Sequence, residues 1–204
     1  MTVTELREVK PGKFVVGFSD GSEMKAGLDQ VTAMSLYCGR ELDQDEFLQL
    51  QEKSRLYACR ERALRIIGAR PMSCRELYDR LLEKGETQEN AEECVQWLLS
   101  LHYLDDVQYG GMVVRHYAAK GYGLQKIKNE LFRRGISKSL WDDALSEMPE
   151  TEDKVYELLC RRLKSSEPDR EELKKATDAL FRRGFSWDEI KCAVNRFKAE
   201  NELD

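Results

Sequence analysis

The chain has no long apolar run. Nothing in its 204 residues approaches the roughly 20 consecutive apolar residues that span a bilayer. Met1 to Lys10 has no apolar core of the kind a secretory leader carries, which predicts a cytoplasmic protein without membrane attachment. Histidine is scarce: His102 and His116 are the two present, and they are not spaced as a ligand pair on one helix. None of the six cysteines, Cys38, Cys59, Cys74, Cys94, Cys160 and Cys192, falls in C-x-x-C spacing. Zinc is therefore not expected, and the thiols read as small half-buried groups in a reducing compartment. Gly110-Gly111 and Gly121-Tyr122-Gly123 lack the Lys-Ser/Thr that completes a phosphate-binding loop, and there is no nucleophile elbow. Asp105-Asp106 could be an acid/base or metal pair, but adjacent aspartates ahead of a helix read more simply as a cap. His116 reads as partner-facing or half-buried rather than as a base. The expectation is a protein with no catalytic residues, no metal and no cofactor.

Charged residues make up 35% of the chain and hydrophobic ones 41%, which suits a soluble helical protein with narrow cores. The length allows one large or two small domains. The net charge of −5 argues against a protein that coats nucleic acid. The charge is uneven, however. Residues 1–50 carry five basic and nine acidic side chains, whereas residues 107–136 carry six basic ones and one acidic, Glu130. A basic face on an acidic protein suggests a specific partner surface.

The stretch from Gly123 to Ile136 organises the rest. Leu124, Ile127, Leu131 and Phe132 recur at helical spacing and predict one buried stripe. Gly135 suits the left-handed residue that ends a helix, and Ser137 can cap the next. The pattern occurs three times, with Gly85, Gly135 and Gly184 lying 50 and 49 residues apart. Eleven residues before these glycines stand Cys74, Leu124 and Leu173; eight before, Leu77, Ile127 and Ala176; four before, Leu81, Leu131 and Leu180; three before, Leu82, Phe132 and Phe181. Such a register is a repeat.

In chain order, residues 2–9, 13–18 and 22–26 read as strands, turning at Pro11-Gly12 and Asp20-Gly21. Leu28, Val31, Leu36 and Tyr37 predict a helix closed by Gly39. Asp43 can cap the helical pattern from Asp45 to Ile67, which Gly68 should break. Ser73 with Glu76, and Ser186 with Glu189, form capping boxes. Val155, Leu158, Leu159 and Leu163 predict the first helix of the last repeat, Ser165-Ser166-Glu167-Pro168 a turn, and the tail beyond Lys198 should fray. Trp97, Trp141 and Trp187 read as core or packing between repeats. The predicted fold is mainly α: three tandem three-helix repeats in an elongated, curved array behind a small antiparallel β element. The boundaries fall at 1–53, 54–104, 105–149 and 150–204. A single repeat has a thin core, so neighbours must share surface.

Lys84, Arg134 and Arg183 precede the three glycines, where a cation complements the helix dipole without needing a partner. That does not cover the strips opposite the apolar stripe. They are Glu76, Asp79 and Glu83 in the first repeat, Lys126, Asn129 and Arg133 in the second, and Lys175, Asp178 and Arg182 in the third. Surface drift and a polarised binding face both account for this gradient. The second reading places docking on Arg115, Lys120, Lys126, Lys128, Arg133, Arg134, Lys175 and Arg182. It predicts that reversing Lys126 and Arg133 spares the fold and weakens docking, whereas Glu76 and Glu83 to Lys does less.

The run Leu104-Asp105-Asp106-Val107-Gln108-Tyr109, then Arg115, Lys120-Gly121-Tyr122-Gly123, Ile127, Glu130-Leu131 and Arg134-Gly135-Ile136, resembles the central motif of the RecX regulatory proteins. Ala63-Leu64, Arg70, Ser73, Glu76-Leu77, Leu81 and Gly85 are similar to that family's first unit. The N-terminal strands resemble the extension of its Gram-positive-type members. Gly110 departs from the pattern, where an alanine is usual, and is expected to loosen the first turn of its helix. The acidic net charge departs too and weighs against direct DNA binding. The resemblance implies a non-enzymatic protein that binds the groove of the RecA filament on single-stranded DNA, and a monomer is expected. It implies inhibition of RecA ATPase, strand exchange and filament growth, with at most weak direct DNA contact. A DNA-binding helical module and a scaffold for another protein remain open beside it.

Overall fold

The computed structural model describes residues 1–163, 165 and 167–201, which fall into two compact units. The first comprises Met1–Pro71 with Leu77–Leu104, and the second Met72–Glu76 with Asp105 onward.

In the first unit, β1 (Val3–Lys10), β2 (Lys13–Phe18) and β3 (Glu23–Gly27) form an antiparallel meander in the order β1-β2-β3. Three short strands cannot bury a core alone, so the sheet needs a helix to cover it. The cover is α2 (Gln44–Ala69). Val3, Val16, Phe18 and Ala26 of the sheet close around Leu50 of α2, and the Phe18 and Phe47 rings meet edge-on at 5.2 Å. Asp43 caps α2: its carboxylate accepts from the Glu46 N–H at 2.8 Å, and Glu46 accepts in return from the Asp43 N–H.

Two sequence expectations fail here for local reasons. Gly68 does not break α2, because nothing opposes a helical glycine there, at a tolerable cost of about 1 kcal/mol relative to alanine. The helix α1 (Leu28–Ala33) stops well short of Gly39: Ser35 takes a left-handed φ of 48° and the Leu36 N–H donates back to the Val31 carbonyl. Leu36 is still buried, but Tyr37 faces solvent.

The C-terminal half of α2 packs on α4 (Gln88–Ser100). Cys59, Ala63, Ala91, Cys94 and Leu98 are all fully buried. Between these helices in chain order comes α3 (Cys74–Glu83), whose first turn clusters with the second unit.

The second unit contains two further sets of helices. α5 (Asp106–Ala119), α6 (Leu124–Arg133) and α7 (Trp141–Leu145) form the first, and α7 is introduced by a 3-10 turn over Lys138–Leu140. Ser137 makes no capping bond to that turn; its hydroxyl meets Ser139 instead. α8 (Glu152–Cys160), α9 (Arg170–Arg182) and α10 (Trp187–Asn201) form the second. Leu163 lies beyond α8 yet is buried with its core. Of the predicted turn at 165–168, Ser166 lies outside the described residues. α10 passes Lys198 and runs to Asn201, whose amide donates to the Phe197 carbonyl at 2.7 Å; the rest of the tail is outside the described residues.

Both sets use the same register for their cores. Ile127 and Ala176, Leu131 and Leu180, and Ile136 and Phe185 occupy matching buried positions. Gly110 does not loosen α5, which is continuous. It admits α7 instead, since a Cβ there would lie 2.9 Å from the Cβ of Ala144.

Helix-end junctions and a candidate docking face

The three register glycines take the left-handed conformation, with φ of 85° at Gly85, 71° at Gly135 and 92° at Gly184. Each closes its helix with the same pair of main-chain bonds. The glycine N–H reaches the carbonyl three residues back, and the next N–H reaches five back, as in Ile136 to Leu131.

Two of these turns receive another helix. The start of α6 sits on the end of α9: the Gly123 N–H donates to the Arg183 carbonyl at 2.9 Å and the Gln125 N–H to the Gly184 carbonyl at 3.1 Å. Gly123 has an ordinary extended backbone, φ −82° and ψ 172°. Its lack of a side chain is required by proximity alone, because a Cβ would lie 2.4 Å from the Gly184 carbonyl carbon. Arg183 completes the contact, with its guanidinium 5.7 Å from the Tyr122 ring centroid and 3.2 Å from the Gly121 carbonyl.

The start of α3 meets the end of α6 in the same way, with side chains in place of backbone. The Ser73 hydroxyl donates to the Arg134 carbonyl while accepting from the Glu76 N–H. The Arg134 guanidinium lies 5.7 Å from the Tyr109 ring centroid and 3.6 Å from the Glu76 carboxylate, which also accepts from the Tyr109 hydroxyl. Burial, then the bond to Glu76, hold the Tyr109 phenol above its ordinary range. The two adjacent aspartates divide the work. Asp105 caps its own helix through the Gln108 N–H, and Asp106 accepts from the Cys74 N–H of α3 at 2.8 Å. Burial and the Asp106 carboxylate push the Cys74 thiol up to about 12, so it stays protonated.

The cations expected at the docking face divide accordingly. Arg134 is turned inward, with its side chain 22% exposed, and Glu76 opposite it is structural rather than a solvent-strip residue. Arg133 is exposed but holds the buried Glu130 at 2.7 Å. Burial works to raise the Glu130 carboxyl, and hydrogen bonds from Arg133 and Tyr117 overcome it, leaving its pKa below the ordinary value. Arg115 pairs with Glu147 at 2.8 Å and Lys175 with Glu171 at 2.7 Å, both at the surface. Lys120 and Arg182 are exposed, and Lys126 and Lys128 half-buried, with no ion pair to any of the four among the described residues.

In α6, α9 and α10 hydrophobic periodicity misplaced four side chains. Leu124 and Phe132 were expected in the buried stripe, yet they are 38% and 68% exposed. Phe181 and Trp187 are 50% and 55% exposed and stack on each other, centroids 5.1 Å apart and planes 21° apart. Trp97 instead lies under Arg60, and Trp141 donates to the Ile136 carbonyl at 3.0 Å. Leu124 and Phe181 line one cleft of about 620 Å³, with Met148, Pro149 and Phe185. Among the described residues no three His, Cys, Asp or Glu side chains are placed to hold a metal, and no helix is long and apolar enough to cross a membrane.

These features define a protein of tandem three-helix repeats. Comparison with known sequences places it more closely. Descriptions of the first, second and third RecX three-helix domains match residues 59–98, 105–145 and 150–194. The regulatory protein RecX of Xanthomonas campestris pv. campestris (strain B100) is 32% identical over 143 residues, covering 69% of this chain and 88% of that one. That of Clostridium tetani is 27% identical over 168 residues, covering 79% and 77%. A crystal structure of a regulatory protein RecX shares the fold with a TM-score of 0.80 at 20% identity, over 95% of this chain and 98% of that one. RecX from Lactobacillus salivarius does so with a TM-score of 0.66 at 21% identity, over 71% and 97%. The chain belongs to the RecX family of regulatory proteins.

Proposed function

We propose that this protein binds the RecA filament on single-stranded DNA in the cytoplasm and restrains it, lowering ATP turnover, strand exchange and filament growth. Membership of the RecX family in all three repeats carries this reading. The exposed basic and aromatic surface of α6 and α9 supports it, since it offers charged and apolar contacts to a partner. Docking uses the outward cations Lys120, Lys126, Lys128 and Arg182, with Arg115, Arg133 and Lys175 able to exchange their surface ion pairs for partner contacts, because such pairs are worth little in water. The test is RecA ATPase on single-stranded DNA with increasing amounts of the purified protein. Turnover should fall at amounts below one copy per RecA protomer. Unchanged turnover at equimolar protein would refute the proposal.

A further inference from the structure

The exposed apolar side chains of α6 and α9 are not scattered. Leu124, Lys128 and Phe132 stand at i, i+4 and i+8 on one row of α6, about 12 Å long at 1.5 Å per residue. The row's first member, Leu124, shares its cleft with Phe181, which stacks on Trp187. The strip therefore runs from α10 across the end of α9 and along α6. In α3 the matching residues Cys74, Tyr78 and Leu82 are half-buried, so the register itself does not demand exposure.

We infer that this strip is the anchor for an amphipathic α-helix of the partner whose apolar face is edged by carboxylates. The inference rests on the RecA reading above for the partner's identity. Three observations select the occupant. A row of two helical turns matches the i, i+4 spacing of a helix laid along a groove. Exposed Phe and Trp with a neighbouring Arg are residue types enriched at protein interfaces, and Trp and Arg recur among those that carry most of the binding energy. Lys128 stands in the middle of the row and Arg182 beside Phe181, both unpaired among the described residues, so the complement carries negative charge. Nucleic acid fits less well. Phe181 already covers one face of Trp187, where a base would stack, and a strand with a phosphate at every nucleotide would meet Glu150 and Glu189 in the cleft, whereas a helix can set its apolar face there and its carboxylates over Lys128 and Arg182.

The test uses full-length variants Phe132→Ser, Phe181→Ser and Lys128→Glu, whose folding is checked by thermal unfolding. Binding to preassembled RecA–single-stranded DNA filaments is followed by co-sedimentation at two salt concentrations. Phe132→Ser and Phe181→Ser should each weaken binding about tenfold or more, equally at both salts. Lys128→Glu should weaken it more at low salt than at high salt. A photo-crosslinking phenylalanine analogue at position 132 should capture an acidic helix of RecA. Wild-type binding with undiminished binding by the folded Ser variants would overturn the inference while leaving the RecA reading intact. Capture of DNA, of a strand or loop, or of a basic surface would also overturn it. Failure of the wild type to bind would instead sink the RecA reading, and this inference with it.

Discussion

The glycine turn that ends α3 and the one that ends α9 are built alike and surrounded differently. Both have a left-handed glycine and the same two main-chain bonds. Around Gly85 a Cβ would meet nothing within 4 Å among the described residues, whereas at Gly184 it would lie 2.4 Å from the Lys126 nitrogen. The carbonyl just before each glycine needs a donor. Arg183 finds it in the Gly123 N–H of another helix; Lys84 finds it in the Arg62 guanidinium of its own repeat, at 2.9 Å. Arg62 also pairs with Glu86 at 2.8 Å. One turn is thus a socket, and the other is closed by a side chain. The difference teaches that the repeated glycine does two separable jobs, ending a helix and admitting a neighbour.

That separation can be broken experimentally. Gly184→Ala combines left-handed strain with a clash against backbone that cannot rotate away, and should cost about 3 kcal/mol. Gly85→Ala keeps only the strain and should cost about 1 kcal/mol. Urea unfolding of both variants measures the difference, and equal losses would mean that the neighbour contributes nothing.

A second contrast sharpens the α3–α6 junction. Glu76→Lys removes the return half of a capping box, takes the acceptor from the Tyr109 hydroxyl proton and sets a cation against Arg134, for about 2 kcal/mol. Glu83→Lys, on the exposed end of the same helix, should stay within about 0.5 kcal/mol. Thermal unfolding decides, and similar Tm values would remove the junction from the stability of α3. The sequence puts both glutamates on one acidic strip, and the contacts of Glu76 set it apart from Glu83.

The smallest effect concerns the position five before the glycine, occupied by Arg80, Glu130 and Ala179. Glu130 is buried, and its folded pKa lies below the ordinary 4.5. The ionised form is therefore favoured by folding. Its contribution is present above about pH 4.5 and is lost as pH falls through the lower folded value. Stability of the wild type should drop more steeply below pH 4.5 than that of Glu130→Gln, as read from unfolding midpoints across pH 3 to 6. Parallel slopes would show that the Arg133 contact contributes nothing to the fold.

Most of the architecture was legible because it rests on local chemistry. The strands with their Gly12 and Gly21 turns, the Asp43, Ser73 and Ser186 caps, and the glycine register are each written in a few neighbouring residues. What was illegible lies between elements. A cation before a terminal glycine fits the helix dipole equally well whether it faces water, as Lys84 does, or an aromatic ring, as Arg134 and Arg183 do. The Phe at position −3 reads as core in any periodic analysis, since hydrophobic spacing does not distinguish a protein's own interior from a face left for another molecule. Glu76 was misread because its partners, Tyr109 and Arg134, are far along the chain.

The contact between α6 and α9 is carried by amide and carbonyl groups, which every residue type other than proline supplies. Most substitutions along those helices therefore leave its donors and acceptors untouched, provided Gly123 and Gly184 stay bare. A lineage carrying such a joint can exchange nearly all of its helix-surface residues and inherit the same splice between repeats. The faces that meet partners are then free to change at a rate of their own.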